Sequence, residues 1–341
     1  MKNYKLAVII PSWNSKDYIA EMLDSILVQS YQDWKLFVVD DQSTDSSLEI
    51  IRDYAKRDQR ISYIVRDREP KGAQTCRNLG FEQAEEAEYV IWFDADDVIA
   101  PYCFEQRVNY MDRHPELDFG IFPAITFNDE LWEEKAWCYG IPFWEDELQA
   151  FLSGTLPMVG WTNIYRRLSI KEKKHHWDES ILSRQDWDFN FHSILSGLKY
   201  DYAVKEDAKV DYYYRVAPNP NKVSWKINSA AHFESHLYLL RKAICALSVE
   251  QKKRYRKELE VCLYNNAQIM SRVLGCYNQL FDMTWVKEHK LFMLRLWLWK
   301  KCGFRLGGRL FFREISVRAK LAQEEWRCLV ENEYKKLLSN Q

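Results

Sequence analysis

Glycine and proline are scarce in this chain, at 11 and 9 of 341 residues. So few flexible or helix-breaking residues exclude a collagen-like chain and a chain dominated by linkers. Excess charge is also lacking, because 48 Lys and Arg face 50 Asp and Glu, for a net charge of −2. Without a positive balance the chain is not expected to coat nucleic acid, so we predict no nucleic-acid partner. The hydrophobic content of 47 % and the length predict a globular protein with room for two domains.

Signals for export, disulfides and membrane insertion are missing from the sequence. The eight cysteines form no C-x-x-C pair, which argues against a zinc site and a dense disulfide framework and predicts a reducing compartment. The apolar run 6–10 is too short for a signal peptide and stops at Pro11. No run of 18 apolar residues occurs, so we predict no transmembrane helix. The expected location is the cytoplasm.

The first hundred residues alternate between short apolar runs and segments with helical spacing. The apolar runs predict strands buried on both faces, at 6–10, 36–39, 61–65 and 89–93. Between them, 18–29 and 46–57 carry apolar residues three and four apart, as amphipathic helices do. This alternation predicts an α/β fold with a doubly wound, mostly parallel sheet. Ligands bind beyond the carboxyl ends of such strands, where the polar residues of this chain gather.

Carboxylates follow two of the four predicted strands. Asp94 and Asp96 form a D-x-D motif after the fourth strand, and Asp41 follows the second. Turns and helix caps favour Asp, but like charges at neighbouring strand ends repel unless a cation or ligand holds them. Two carboxylates one residue apart can bind a hard divalent ion and leave positions for phosphate oxygens. Two roles are open for Asp97: it could cap the helix that follows, or it could contact a bound ligand.

Positive charge is predicted at the same edge of the sheet. Arg77 is the better candidate for a phosphate than Lys71, with a surface ion pair as the alternative. Asp41 could accept a base N–H or a ribose hydroxyl. No G-x-G-x-x-G follows the first strand and no P-loop motif occurs, so dinucleotide-binding and P-loop proteins lose their main support.

Four segments occur in the order and at the spacing of a known family: 8–14 (VIIPSWN), 38–45 (VVDDQSTD), 72–78 (GAQTCRN) and 93–97 (FDADD). They resemble the nucleotide-sugar half of the family 2 glycosyltransferases, and the resemblance continues through 161–166 and 183–187. It implies a GT-A fold with a catalytic domain over 1–225. Within it, about 1–100 would bind the nucleotide-sugar and about 101–225 the acceptor. A helical C-terminal region, basic and aromatic, would occupy 226–341.

The resemblance also implies roles for single residues. Asp186 matches the catalytic base of inverting members, although many relatives have Glu-Asp where this chain has Gln185 and Asp186. Asp94 and Asp96 would hold Mn²⁺ or Mg²⁺, with Asp96 the direct ligand. Arg215 and Ser224 match a segment that closes over the diphosphate. The implied nucleotide-sugar contacts are Pro11, Ser12, Asn14, Asp41, Lys71, Arg77, Asp94, Ala95 and Asp96.

Aromatic residues make up 15 % of the chain, and they suit sugar faces, membrane interfaces and cores alike. Trp144, Trp161 and Trp187 are candidates for the floor under an acceptor sugar, with core packing as the alternative, and Gln185 is a further candidate acceptor contact. The segment 285–320 holds ten Lys and Arg against two Glu, interleaved with Leu, Phe and Trp. This pattern predicts binding to an anionic membrane surface, and the alternative is packing on the acidic catalytic domain.

These observations predict a metal-dependent, inverting glycosyltransferase of polysaccharide biosynthesis. It would move a sugar from a nucleotide-diphosphate donor, most commonly UDP in this family, to a glycan or lipid-linked acceptor at the inner face of the membrane. A sugar-phosphate nucleotidyltransferase is an alternative, but its Gly-rich phosphate loop is replaced here by residues 11–14. A non-catalytic, nucleotide-sugar-binding membrane scaffold is another, which the complete set of Asp94, Asp96 and Asp186 disfavours.

Overall fold

The computed structural model describes residues 4–127, 138–142, 146–154, 156–216 and 230–263, together with residues 286, 287, 289, 290, 294 and 297. The strands and helices predicted in the first hundred residues are confirmed, and a further helix precedes the fourth strand. In chain order these elements are β1 (Leu6–Ser12), α1 (Ile19–Leu27), β2 (Trp34–Asp40), α2 (Ser47–Arg57), β3 (Ile61–Val65), α3 (Ala73–Gln83) and β4 (Tyr89–Trp92).

Shorter strands and helices follow. They are β5 (Val98–Ile99), α4 (Cys103–Arg113), β6 (Phe119–Ile121), β7 (Ala124–Phe127), β8 (Cys138–Tyr139), α5 (Glu147–Leu152), β9 (Asn163–Arg166), α6 (Arg167–Glu172), α7 (Gln185–Leu195), β10 (Tyr200–Tyr202), β11 (Tyr212–Arg215), α8 (Ala230–Ala246) and α9 (Val249–Arg254). A 3₁₀ turn over Gly160–Thr162 leads into β9, and a second one over Ala203–Glu206 follows β10.

Among the described residues, seven strands form the central sheet in the order β10-β6-β9-β4-β1-β2-β3. β1 pairs in parallel with β2 and with β4, whereas β9 runs antiparallel to both of its neighbours. A smaller sheet has the order β5-β11-β7-β8. The chain winds from β1 to β3 in one direction and then places β4 on the other side of β1. Sheets of this kind bind ligands in the crevice where the strand order reverses, here between β1 and β4.

Alternating side chains of β1 are buried in two different hydrophobic clusters. Ala7 and Ile9 belong to one, and Leu6, Val8 and Ile10 belong to the other. Because successive side chains of a strand point to opposite faces, the clusters lie on the two sides of the sheet. The continuous apolar runs in the sequence are explained by this burial on both faces.

α3 lies unusually close to β1. A Cβ added at Gly80 would lie 2.4 Å from Cγ2 of Ile9, which is too close for any side chain. The glycine therefore lets the helix backbone approach the strand and brings the first turns of α3 over the carboxyl end of β1.

The described part of the C-terminal region is helical, as predicted. Leu240 and Ile244 of α8 lie in the same hydrophobic cluster as Trp187 and Phe191 of α7. The boundary predicted at residue 225 therefore does not separate two hydrophobic cores, because α8 packs into a core of the central sheet.

The segment 285–320, predicted to bind a membrane surface, lies almost wholly outside the described residues. Across the described part of the chain, no helix combines the length and the apolar character needed to cross a membrane.

Candidate active site

The ends of β1 and β2 meet at one edge of the central sheet. Ser12 is level with Asp40 in the parallel pairing, and the backbone N–H of Asp41 donates to the backbone oxygen of Ser12 at 2.8 Å. Asp94 and Asp96 follow β4, on the other side of β1. The predicted donor residues are therefore gathered around the crevice between β1 and β4.

Arg77 of α3 connects two parts of this site. Its side chain is 6 % exposed, and Nη2 donates to Oδ1 of Asp94 at 2.7 Å. Nη1 donates to Oε1 of Gln185 at 3.2 Å, and the guanidinium lies 4.4 Å from the centre of the Trp177 ring. One buried cation thus joins the D-x-D loop to the first residue of α7. Gln185 contacts Arg77, and its predicted contact with the acceptor stays a prediction.

Asp186, the second residue of α7, faces the same cation. The backbone N–H of Gly160 donates to its Oδ1 at 2.8 Å. Burial raises the pKa of Asp186, the charge of Arg77 opposes that rise, and the charge of Asp94 adds to it. A carboxyl group with a raised pKa and a fixed orientation has the properties of a general base.

Gly160 and Trp177 complete the surroundings of Asp186, and sequence reasoning missed both. A Cβ at Gly160 would lie 2.8 Å from Oδ1 of Asp186 and 2.8 Å from Cη2 of Trp177. The turn signals around residue 160 were visible in the sequence. Its contact with a helix 26 residues later was not, because that contact depends on tertiary packing.

The three carboxylates after β4 have different surroundings. Asp94 is 27 % exposed and Asp96 is half-buried, whereas Asp97 is fully buried. The carboxylate of Asp97 accepts hydrogen bonds from the hydroxyl of Tyr212 and from the backbone N–H of Arg215. Both readings of Asp97 are therefore corrected, because it holds the D-x-D loop against β11.

The D-x-D pair fits a hard divalent cation in the chemistry of its donor atoms. Two carboxylates provide oxygen ligands, and Mg²⁺ and Mn²⁺ commonly complete their shells with water and substrate phosphate. Within the described residues, no group of three or more His, Cys, Asp and Glu side chains could hold a metal. A cation bound by Asp94 and Asp96 would thus take its remaining ligands from a phosphate and from water.

The predicted nucleotide contacts on the loops after β1 and β2 are held by neighbouring side chains. Asp41 forms an ion pair with Nε of Arg66, and both side chains are almost completely buried. Oδ1 of Asn14 accepts a hydrogen bond from the backbone N–H of Thr44 at 2.8 Å. The backbone N–H of Asn14 donates to Oγ of Ser43 at 3.0 Å. These contacts join the two loops into one rim of the crevice.

The remaining residues predicted to contact the nucleotide-sugar differ in their exposure to solvent. Pro11 is half-buried, and Lys71 is exposed with its Nζ 4.2 Å from the centre of the Trp13 ring. Ser12 and Ala95 are buried, at 1 % and 7 % exposed, so Ala95 has little side-chain surface for a ligand.

Two of the predicted acceptor residues are core residues. Trp161 is 4 % exposed and stacks on the rings of Tyr212 and Tyr214 at 4.7 and 5.3 Å between centres. Trp187 is also 4 % exposed, and its Nε1 donates to the backbone oxygen of Phe151 at 3.0 Å. This burial corrects the prediction that the two rings form the floor under the acceptor.

Other predicted residues lie at the margin of the described structure. Arg215 ends β11, and its Nε donates to the backbone oxygen of Asp96 at 2.9 Å, so it supports the D-x-D loop. Trp144 and Ser224 lie outside the described residues.

Comparison with solved structures defines the class of fold. The structure of Staphylococcus aureus TarS residues 1–349 with UDP-GlcNAc covers 97 % of this chain and 92 % of its own, with a TM-score of 0.58 at 20 % identity. The Pyrobaculum calidifontis mannosyltransferase PcManGT, solved with GDP-Man and Mn²⁺, covers 91 % and 87 % with a TM-score of 0.54 at 15 % identity. These identities show the fold alone, which is the GT-A fold of glycosyltransferases.

The sequence comparison points to the same class of protein. Residues 7–173, just under half of the chain, match the family described as glycosyl transferase family 2. Poly(ribitol-phosphate) beta-glucosyltransferase of Bacillus spizizenii is 26 % identical over 260 residues, which are 74 % of this chain and 38 % of that protein. Putative teichuronic acid biosynthesis glycosyltransferase TuaG of Bacillus subtilis is 38 % identical over 113 residues, 33 % of this chain and 44 % of its own. The chain thus spans less than half the length of either relative.

Proposed function

We propose that this chain transfers a sugar from a nucleoside-diphosphate sugar to a hydroxyl group of a polymeric or lipid-linked acceptor, with inversion at the anomeric carbon. The observation that carries the proposal is the position of Arg77, which bonds to Asp94 of the D-x-D motif and to Gln185 beside Asp186. One arginine thus links the candidate donor site to the residue next to the candidate base.

Asp186 is proposed as the general base. It would take the proton of the acceptor hydroxyl while that oxygen bonds to the anomeric carbon. The bond from this carbon to the diphosphate breaks on the opposite face, and the diphosphate leaves with the bonding electrons. One displacement of this kind inverts the configuration. A raised pKa makes the carboxylate a stronger base than an ordinary Asp, and such proton transfer contributes about 10² to 10⁴ in rate.

Asp94 and Asp96 are proposed to hold Mn²⁺ or Mg²⁺, which when bound would stabilise the negative charge of the leaving diphosphate. Arg77 would orient Asp94 for that role through its hydrogen bond. Pro11, Asn14 and Asp41 line the rim formed by the loops after β1 and β2, and are proposed to contact the nucleotide.

UDP is the proposed nucleotide, and an anionic cell-wall polymer is the proposed acceptor class. Support comes from two relatives, one solved with UDP-GlcNAc and one named for its action on poly(ribitol phosphate). Binding of an anionic membrane through 285–320 stays a prediction, as does a location at the inner membrane face.

The test compares Asp186→Asn with the wild type. UDP release from UDP-glucose and UDP-GlcNAc is measured with Mn²⁺ and poly(ribitol phosphate), and the product anomer is read by NMR. We expect the variant to lose about 10² to 10⁴ in transfer rate while UDP binds with unchanged affinity in calorimetry. Wild-type rates in the variant would rule out Asp186 as the base, and a retained anomeric configuration would rule out single displacement.

A further inference from the structure

The segment that leads into Asp186 is held by a helix from the C-terminal region. We propose that Ser235 and His236 of α8 are positioning residues for Asp186, and that α8 is needed for the transfer step but not for donor binding. This inference rests on the proposed role of Asp186 as the base.

Two consecutive residues of α8 bond to two consecutive residues of the segment. Oγ of Ser235 accepts a hydrogen bond from the backbone N–H of Leu182 at 2.8 Å. Nε2 of His236 and Oγ of Ser183 lie 2.8 Å apart, at hydrogen-bond distance. Ser183 is 1 % exposed, Ser235 6 % and His236 5 %, so water does not compete for these bonds. The backbone and the side chain of the segment are thus both attached to α8.

The next residue explains why the segment needs support. Arg184 has φ +60° and ψ +33°, in the left-handed region that residues with a side chain rarely adopt. Such a conformation persists where the surrounding structure holds it. Arg184 is followed directly by Gln185 and Asp186, so the turn at Arg184 decides the direction from which α7 starts. A change there would move the carboxylate of Asp186 away from the N–H of Gly160.

α8 is itself firmly anchored, as a support must be. Leu237 and Leu240 lie in the hydrophobic cluster of the main sheet. Nζ of Lys242 bonds to Oδ2 of Asp178 at 2.8 Å and to Oδ2 of Asp188 at 2.7 Å. Asp188 belongs to α7, so α8 contacts α7 along its length as well as the segment before it.

The contact of His236 adds no charge near the base. Burial lowers the pKa of His236 to about 4, so the ring is neutral at neutral pH. Its bond to Ser183 therefore orients the segment without adding a charge near Asp186. A neutral amide of similar reach should be able to replace it.

The proposed donor residues lie on elements other than α8, and Arg77 meets the segment that α8 holds through Gln185. Asp94, Asp96 and Asp41 follow β4 and β2, and Arg77 lies on α3. Loss of the α8 contacts is therefore expected to lower kcat and to leave nucleotide binding unchanged. A role in stability alone would lower the melting temperature without this separation of kcat from KM.

The test uses His236→Ala, His236→Gln, His236→Asn and Ser235→Ala in the full chain. At saturating UDP-sugar, the two alanine variants should lose about 10- to 100-fold in kcat, with donor KM and UDP affinity within about twofold of wild type. The Gln amide reaches the position of Nε2 and should restore most of the activity, whereas the shorter Asn should not. Arg241→Ala, an exposed position on α8, is the matched control and should behave as wild type.

The outcomes separate this inference from the proposed function. Full kcat in folded His236→Ala and Ser235→Ala, beside an inactive Asp186→Asn, would overturn the role of α8 and leave the base assignment standing. Wild-type activity of Asp186→Asn would overturn the proposed function instead. If His236→Ala does not fold, Ser183→Ala removes the same hydrogen bond from the other partner and is expected to show the same loss in kcat.

Discussion

The backbone N–H of Gly160 donates a 2.8 Å hydrogen bond to Oδ1 of Asp186, and a side chain on residue 160 would enter that contact. Gly160 lies in the turn before β9, and Asp186 lies in the first turn of α7. The orientation of the candidate base is therefore set by the backbone of a different segment. The charges of Arg77 and Asp94 act on the pKa of this carboxylate, the first lowering it and the second raising it.

Gly160→Ala should separate catalysis from donor binding. The added Cβ would lie 2.8 Å from both Oδ1 of Asp186 and Cη2 of Trp177, so the carboxylate must move. A displacement of about 1 Å in a catalytic group costs about 100-fold in rate, and we expect a loss of that order in kcat. The measurement is initial transfer rate together with UDP affinity.

Gly197→Ala is the control for that variant. Gly197 has φ +78°, and a Cβ added there would have open space around it, so its substitution should lower stability without touching the site. Equal losses of kcat in the two variants would mean that general destabilisation, and not the contact with Asp186, is responsible.

Arg77→Gln should shift the pH profile of transfer. A base acts only when deprotonated, so the rate should rise with pH through the pKa of Asp186. Arg77 favours the charged form, and its removal disfavours it; the uncompensated charge of Asp94 acts in the same direction. The acidic limb of kcat at saturating donor should therefore move to higher pH. An unmoved limb would show that Arg77 and Asp186 are not electrostatically coupled.

Asp96→Asn and Asp97→Asn should affect different properties. The Asp96 variant is expected to weaken the Mn²⁺ dependence of UDP binding, which can be followed as the difference in melting temperature with and without the metal. In the Asp97 variant one carboxylate oxygen becomes an NH₂ group, so the side chain can accept from Tyr212 or from Arg215 but not from both, and the melting temperature of the free protein should fall. An unchanged Mn²⁺ effect in the Asp96 variant would argue against metal binding at the D-x-D motif.

Arg107→Met should lower the stability strongly. Its guanidinium forms two hydrogen bonds to the carboxylate of Asp211 and one to the backbone oxygen of Trp161, and both charged side chains are fully buried. Removing one member of a buried pair leaves an uncompensated charge and costs about 3–5 kcal/mol. Urea unfolding measures the loss. Lys56→Ala, which breaks an exposed pair with Asp53, should change little.

Much of the fold could be predicted because its signals are local. The apolar runs of β1 to β4 and the helical spacing of α1 and α2 are properties of neighbouring residues, and each predicted element is present. The C-terminal boundary was harder, since nothing in the sequence near residue 225 shows that α8 would pack against α7.

The candidate site could be predicted only in part. Asp94, Asp96 and Arg77 were identified from their places after strands and from the family resemblance, and they lie at one edge of the sheet. Trp161 and Trp187 could not be assigned in this way, because the sequence alone does not distinguish a tryptophan in a hydrophobic core from one in a sugar-binding site. Only their burial in the folded chain distinguishes the two.

The order of apolar runs and helical segments along the chain predicted the α/β fold, because the spacing of buried residues is a property of consecutive residues. The spacing of the motifs carried the resemblance to the GT-A glycosyltransferases. Tertiary packing determined the hydrogen-bond partners and the orientation of each carboxylate. Asp97 is turned towards β11 by partners more than 100 residues later, and Asp186 is oriented by Gly160 and by the segment that α8 holds. Such contacts join distant parts of the chain, so their geometry arises only when the whole core is assembled.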